Sequence, residues 1–417
     1  MRQKVLVRGP VLTQSGYGEH ARFVVRSLLE YEEDFDVYVA PVNWGQTNWI
    51  SNDTDERNFF DSLIRKTALY SNNGGQFDIS LQVTIPNEWE KLAPINVGIT
   101  AGIETTKISP QWIEKSTVVD RIITISEHSK YGFENTSYKA KTPDGKIVDL
   151  QCHTPIDVVH YPVRDFEPAD IELNLEYDTN FLTVLQWSPR KNLENTIRWF
   201  VEENIDKEVG LVVKANIAKN CVIDRRHSEQ RMKQLLSSYP ERKCKVYLLH
   251  GYMTNEEMTA LYRNPKIKAY ISLTHGEGFG LPLFEAAYNE LPVIAPAWSG
   301  HLDFLCMPVK YKNGKSKVKT MFAKVDYTLQ KIQKEAVWDG VLQPDAMWCY
   351  PEQGSFKMKL REVMKDYSRF KSQAKKLSKW IRNNFKEEQK FLDMRNAVLN
   401  VYEKPDKNEE SVDVVML

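Results

Sequence analysis

Cysteine is scarce in this chain. Its five residues (Cys152, Cys221, Cys244, Cys306, Cys349) are odd in number, widely spread and without a CxxC pair. That pattern argues against a disulfide framework and predicts reduced thiols, as in a cytoplasmic protein. Glycine and proline number only 19 each in 417 residues, which excludes a collagen-like or low-complexity chain. No apolar run approaches the ~20 residues of a membrane helix, Leu291–Ala297 being among the longest, so no integral membrane segment is expected. Met1-Arg2-Gln3-Lys4 leads straight into Val5-Leu6-Val7 with no apolar signal stretch, which again leads to an expectation of the cytoplasm. Neither sign of charge dominates: 56 basic residues face 56 acidic ones. That excludes coating nucleic acid through overall charge, although it permits a local basic patch. A G-x-x-x-x-G-K-[ST] motif is also missing, which disfavours a P-loop ATPase.

What is present is core material. Apolar residues make up 42 % of the chain and aromatics 11 %, enough for two packed domains of about 200 residues each. Short β-branched runs alternate with helical stretches: strands at 4–8, 36–40, 79–83, 95–100 and 121–125, with a helix over 18–30. A small hairpin is expected at 138–152 around Asp144-Gly145. Pro162, Arg164, Asp165 and Pro168 then mark a linker. A second series follows, with strands at 181–185, 211–214, 245–249, 269–273 and 292–295 and helices at 193–200, 256–263 and 282–290. Strands alternating with helices imply parallel sheets covered on both faces. The expected architecture is α/β, two Rossmann-like domains facing a central cleft, with ligands outside the carboxyl ends of the strands. The expected divisions are 1–165, 166–380, a C-terminal helix at 381–403 crossing back to the first domain, and a flexible tail at 404–417.

The most informative segment is His275-Gly276-Glu277-Gly278-Phe279-Gly280-Leu281-Pro282-Leu283-Phe284-Glu285. A strand runs into a glycine-rich loop, and Pro282 sits in the first turn of the helix that follows, where a missing N–H costs nothing. Free amides and the dipole at that helix start suit a diphosphate. Glu277 and Glu285, eight residues apart, place one carboxylate before the helix and one inside it, and carboxylates bind the vicinal hydroxyls of a sugar and a ribose. Arg190-Lys191 after one strand and Lys214 at the end of the next supply cations that can converge on the same diphosphate.

Glu277-x7-Glu285 within EGFGLPLFEA, followed by LPVIAPAWSGHLDF, resembles the signature of the retaining GT-B glycosyltransferases of family four. SPRKN, the lysine of LVVKAN and Gly16 of QSGYGEHAR are similar to that family too, as are Gly102–Thr106, Pro110-x-Trp112 and Ile125–Glu127. The resemblance implies a GT-B fold, a nucleotide-diphosphate sugar donor in the C-terminal domain and an acceptor held mainly by the N-terminal one. It also implies transfer of a hexose or pentose with retention, no metal and no cofactor; the donor nucleotide is not legible. It makes Glu277, Lys191 and Arg190 the catalytic group and Glu285 the ribose binder. Gly278, Phe279, Gly280, Leu281, Lys214, Gly16, His275, Ser299 and Gly300 complete the donor site it implies. Where many members carry a histidine, this chain reads Thr100-Ala101-Gly102-Ile103-Glu104; Glu104 is the acceptor-side candidate and no catalytic histidine is carried over.

Two other patterns compete for attention. Asp53-Thr54-Asp55 has the D-x-D form that binds Mn²⁺ elsewhere, but it lies in a polar stretch where such residues are plain loop formers. Cys152, His153 and His160 lack zinc spacing. Charge bears on the acceptor: residues 1–165 hold 17 basic and 22 acidic groups, net −5, leaving +5 for the remainder. Lys310–Lys334, however, carries eight lysines against one acid, Asp326, with 315, 317 and 319 on one face of an extended segment. A lysine-protected sheet edge explains that run. The sharper alternative is a phosphate backbone. The expected acceptor is a saccharide or glycoconjugate; the alternatives are hydroxymethylated bases in DNA, contacted through Lys310–Lys334, and a nucleotide-sugar-binding protein without transfer.

Overall fold

The computed structural model describes residues 2–44, 47–141, 146–310 and 315–402. Two six-stranded sheets, parallel throughout, organise the chain. The first is ordered Phe35–Pro41, Gln3–Gly9, Ile79–Val83, Ile95–Thr100, Arg121–Thr124, Ile156–Val158. The second is ordered Lys245–Leu249, Gly210–Asn216, Asn180–Gln186, Ile267–Ile271, Val293–Pro296, Ala323–Val325. In each, order reverses beside the first strand of the series, so the loops that leave its carboxyl end open a crevice. Val5, Val7, Ile79, Leu81, Val97 and Ile99 are buried on one face of the first sheet and Leu6, Ser80, Gln82 and Asn96 on the other, as cover on both sides requires.

Boundaries differ from the sequence reading where polar composition hid a helix. Ser51–Asn58 is not simply a loop: Thr54 caps the helix Asp55–Asn72 by accepting the Arg57 N–H at 3.2 Å. Asp55 and Glu56 then sit in its first turn, where the helix dipole favours acids. The helix Val222–Leu236, rich in Arg, Gln and Lys, was equally unmarked by apolar periodicity. In the helix Leu193–Glu203 the buried face is Leu193, Ile197, Phe200 and Val201, with Trp199 at its margin. The expected hairpin pairs Ser137–Lys141 with Ile147–Gln151; Asp144-Gly145 lies outside the described residues, as does the 404–417 tail.

The C-terminal region is not one helix from 381. The helix Tyr367–Asn384 packs on the second domain, and the crossing is made by Glu387–Leu399. That last helix lies on Gly16–Leu29 of the first domain, where Phe391 meets Phe23 at 6.1 Å and Arg395 pairs with Asp34. One aromatic seam joins the halves: Tyr161 to Phe279 at 5.3 Å, Phe279 to Phe284 at 5.2 Å, Phe284 to Phe385 at 5.4 Å. All five cysteines are free thiols. No helix among the described residues is long and apolar enough to cross a membrane.

Candidate functional site

The carboxyl ends of both sheets line one cleft of about 970 Å³. At its centre the loop after Ile267–Ile271 carries Glu277, 7 % exposed. Lys191 Nζ donates to both its oxygens at 2.6 and 2.7 Å, and Arg190 reaches one of them at 3.2 Å. Burial alone would raise this carboxyl; Lys191 and then Arg190 overcome it and hold Glu277 down at about 2. Burial lowers Lys191, with Glu277 pulling the other way. Arg190, also desolvated, is raised on balance by Glu104 and Glu277. The Lys191 ammonium has a third donor and the Arg190 guanidinium further N–H groups, so both can take an anion without abandoning Glu277.

Glycines set the spacing of this loop. A Cβ on Gly276 would lie 2.3 Å from the Glu104 carbonyl, and one on Gly278 would lie 2.2 Å from that of Ala101. The 101–104 loop of the first domain therefore rests on the loop of the second, and Glu104 pairs across the seam with Arg190 at 3.2 Å. Gly280 adopts a φ of +93° and leads into the helix Leu281–Tyr288. That helix has no side-chain cap, so its first amides stay available at the cleft wall lined by Gly278, Phe279, Gly280 and Leu281. The Phe279 ring belongs to the aromatic seam and only 4 % of the residue is exposed.

Deeper along the same helix, Glu285 lines the cleft and accepts the Tyr262 hydroxyl at 2.8 Å. Burial lifts it to about 7, with Tyr262 opposing. Lys214 lines the same wall and is tied to the Gly251 carbonyl; burial lowers its pKa. On the first domain, Gly16 lines the cleft in open space, whereas a Cβ on Gly18 would fall 2.0 Å from the Thr13 carbonyl. Arg22 braces this loop by donating to the Val11 and Thr13 carbonyls at 3.0 and 2.8 Å.

Three expected donor contacts are corrected. His275 is 1 % exposed, bonded through Nδ1 to the Cys349 carbonyl at 2.6 Å and stacked on Trp348 at 5.0 Å, so it supports the loop from behind. Its burial lowers it to about 4, which leaves it neutral. Ser299 and Gly300 lie beneath the loop: Ser299 Oγ accepts the Glu277 N–H at 2.8 Å, and the Gly300 N–H donates to the Glu277 carbonyl at 2.9 Å. They orient Glu277 rather than line the cleft.

Asp53 accepts the Asn58 amide at 2.8 Å beside the helix start, and no cluster of three or more metal-ligating side chains occurs among the described residues. The first part of the lysine-rich stretch lies in the antiparallel pair Cys306–Lys310 and Ser316–Thr320, and Lys324 and Lys331 lie in the strands Ala323–Val325 and Tyr327–Lys331, none of these lysines on the cleft wall; Lys312 lies outside the described residues. Sequence reasoning passed over Tyr262, Tyr252, Met253, Trp44, Glu88 and Trp338, all on the cleft wall. Gly251, with a φ of +115° just after the strand Lys245–Leu249, was the available signal for Tyr252 and Met253.

Solved structures with this fold include Anabaena HepE in complex with UDP and glucose (TM-score 0.59, 11 % identity, covering 96 % of this chain and 100 % of that one). Sucrose-phosphate synthase from Thermosynechococcus elongatus aligns at 0.62 and 12 % identity over 96 % and 99 % of the two chains. An E. coli structure bound with UDP-2-fluoro glucose aligns at 0.55 and 10 % over 95 % and 98 %. At these identities the likeness is one of fold. No curated protein matches the sequence. Residues 167–324, which contain Arg190, Lys191, Lys214, Glu277 and Glu285, match the family model of the group 1 glycosyl transferases, and the whole chain has the two-domain GT-B fold.

Proposed function

We propose that this protein is a retaining glycosyltransferase that moves a hexosyl or pentosyl group from a nucleotide-diphosphate sugar to an acceptor hydroxyl on a saccharide or glycoconjugate. In this reading it works in the cytoplasm and needs no metal. The observation that carries it is the buried Glu277–Lys191–Arg190 group beside an uncapped helix start, with Glu285 deeper on the same wall. Glu285 takes the ribose hydroxyls. The amides at the start of Leu281–Tyr288, with Lys191 and Arg190, take the diphosphate, and Glu277 orients the donor sugar.

Departure of the diphosphate breaks the bond from the anomeric carbon to phosphate oxygen and leaves negative charge on that oxygen. Fixed cations and a helix terminus stabilise such charge where it develops. The acceptor oxygen attacks the same face, and its proton passes to the departing phosphate oxygen, so the new bond keeps the original configuration.

A thermal-shift panel of UDP-, GDP- and ADP-sugars identifies the donor, and mass spectrometry with candidate acceptors reads the transfer. Lys191→Ala should lower turnover by at least about a hundredfold, the scale of losing one transition-state charge partner, with unchanged circular dichroism. Undiminished transfer in that variant would refute the assignment.

A further inference from the structure

After the last strand of the second sheet the chain leaves its own domain. Tyr327–Lys331 and Met347–Pro351 form an antiparallel pair, and the segment between them reaches the first domain. At its tip Gly340, φ +71°, presents a carbonyl that accepts Asn87 Nδ2 at 3.0 Å and Ser109 Oγ at 2.7 Å. Val341, 6 % exposed, joins the core around Trp89 and Trp112, and Lys107 pairs with Asp345. At the base, the Thr106 N–H donates to the Met347 carbonyl at 2.8 Å. The strap is thus bonded to the first domain at its base and at its tip.

This docking presents Trp338. Its backbone is closed onto Leu342 in both directions, at 3.2 and 2.7 Å, so the turn is fixed. Its side chain nevertheless stays open: the residue is 57 % exposed and lines the cleft. A rigid turn that exposes an indole inside a cleft offers a flat apolar face to a ligand. Asn87, which holds the tip, is followed by Glu88, also on the cleft wall. Glu88 Oε1 accepts the Trp44 indole N–H at 2.8 Å, whereas Oε2 is buried with no hydrogen-bond partner. A carboxylate oxygen left unpaired is costly, and because Glu88 itself lines the cleft, a turn of its carboxyl group that brings this oxygen to a ligand hydroxyl would remove that cost. Tyr17 packs edge-on against Trp44 at 4.7 Å, which steadies this corner.

Charge narrows the ligand. Trp44, Ile85, Glu88, Ala101, Glu104 and Trp338 line this end of the cleft with two carboxylates and no cation among them. Glu104 is paired with Arg190 at 3.2 Å, which leaves Glu88 as the carboxylate of this end with no ion pair among the described residues. A phosphorylated or carboxylated ring placed against Glu88 would meet repulsion, whereas a neutral ring offers hydroxyls to that carboxylate and C–H faces to the indoles.

We propose that Trp338, Trp44 and Glu88 form the acceptor subsite and that it takes an uncharged pyranose ring. This rests on the glycosyl-transfer reading and adds the chemical class of the acceptor. Saturation-transfer NMR tests it with the methyl glycosides of glucose, galactose, mannose and N-acetylglucosamine. Glucose 6-phosphate is the charged comparator, and UDP, GDP and ADP report the donor site. We expect at least one neutral glycoside to bind, Trp338→Ala to weaken it tenfold or more, Trp338→Phe to recover most of the loss, and nucleotide affinity to stay within twofold.

Trp338 is exposed, so its removal should not impair folding. If a nucleotide binds but no neutral glycoside does, the subsite is refuted alone. Glycoside binding indifferent to Trp338→Ala, or stronger binding of glucose 6-phosphate, also refutes it. Failure of every nucleotide to bind refutes the transfer reading on which it stands.

Discussion

Glu277 and Glu285 lie on one loop-and-helix unit yet are pushed in opposite directions by their neighbours. Lys191 and Arg190 overcome the burial of Glu277 and hold it near 2, so it is ionised at every working pH. Glu285 has the Tyr262 hydroxyl and, more weakly, Arg164 against its burial and rises to about 7. A carboxylate that accepts ribose hydroxyls acts in its ionised form. Nucleotide-sugar affinity should therefore fall as pH drops below 7, by at most about tenfold per unit. Calorimetric titration between about pH 5.5 and 8.5 checks this, and a flat profile would show that Glu285 does not take the ribose.

Stability carries the opposite sign. A carboxyl whose pKa is raised on folding stabilises the fold in acid, and that contribution is lost as pH rises through about 7. Glu285→Gln should accordingly raise the melting temperature at pH 8 and change it little at pH 5, as read by scanning calorimetry.

At the scale of elements, the glycine loop and the start of Asp55–Asn72 make separate claims. Gly278→Ala places a methyl group where the Ala101 carbonyl stands, and backbone cannot yield as a flexible side chain can. The two domain loops must separate, and the Glu104–Arg190 pair with them. We expect transfer to drop at least about tenfold while the melting temperature falls only a few degrees, an effect of about 1 kcal/mol on a chain of this size. Kinetics and calorimetry on one sample check both. Thr54→Ala removes the cap of Asp55–Asn72 and should cost about 1 kcal/mol in denaturant unfolding. Added Mn²⁺ should leave the unfolding midpoint where it was, because Asp53 and Asp55 serve the helix start; a Mn²⁺-dependent rise would show otherwise.

At the scale of the molecule, the linker carrying Pro162 and Pro168, the returning helix Glu387–Leu399 and the strap ending at Gly340 hold the halves together alongside the aromatic seam and the Glu104–Arg190 pair. The strap is bonded to the first domain at Thr106, Asn87 and Ser109, so it should limit how far the cleft can open. Val341→Asp buries a carboxylate among Trp89, Trp112 and Ile113 and should release the tip. The expected readout is faster proteolysis within 332–346 and a larger radius of gyration by solution scattering, with the two sheets intact by circular dichroism. An unchanged radius would show that the strap follows the cleft rather than restrains it.

The parallel sheets and the Glu277–Glu285 unit were written in the sequence itself. Runs such as Val5-Leu6-Val7 and Leu211-Val212-Val213 must be buried on both faces, and a glycine loop entering a helix through Pro282 has one local geometry. The polar helices Asp55–Asn72 and Val222–Leu236 were not legible, because they bury so narrow a stripe that periodicity fades. His275, Ser299 and Gly300 sit beside the chemistry in sequence, yet only packing decides which side of a loop a residue serves. Trp338 is 61 residues beyond Glu277 in the chain and reaches the same cleft through Asn87 and Ser109. Such a placement depends on contacts between distant segments, which local propensity does not encode and tertiary packing does.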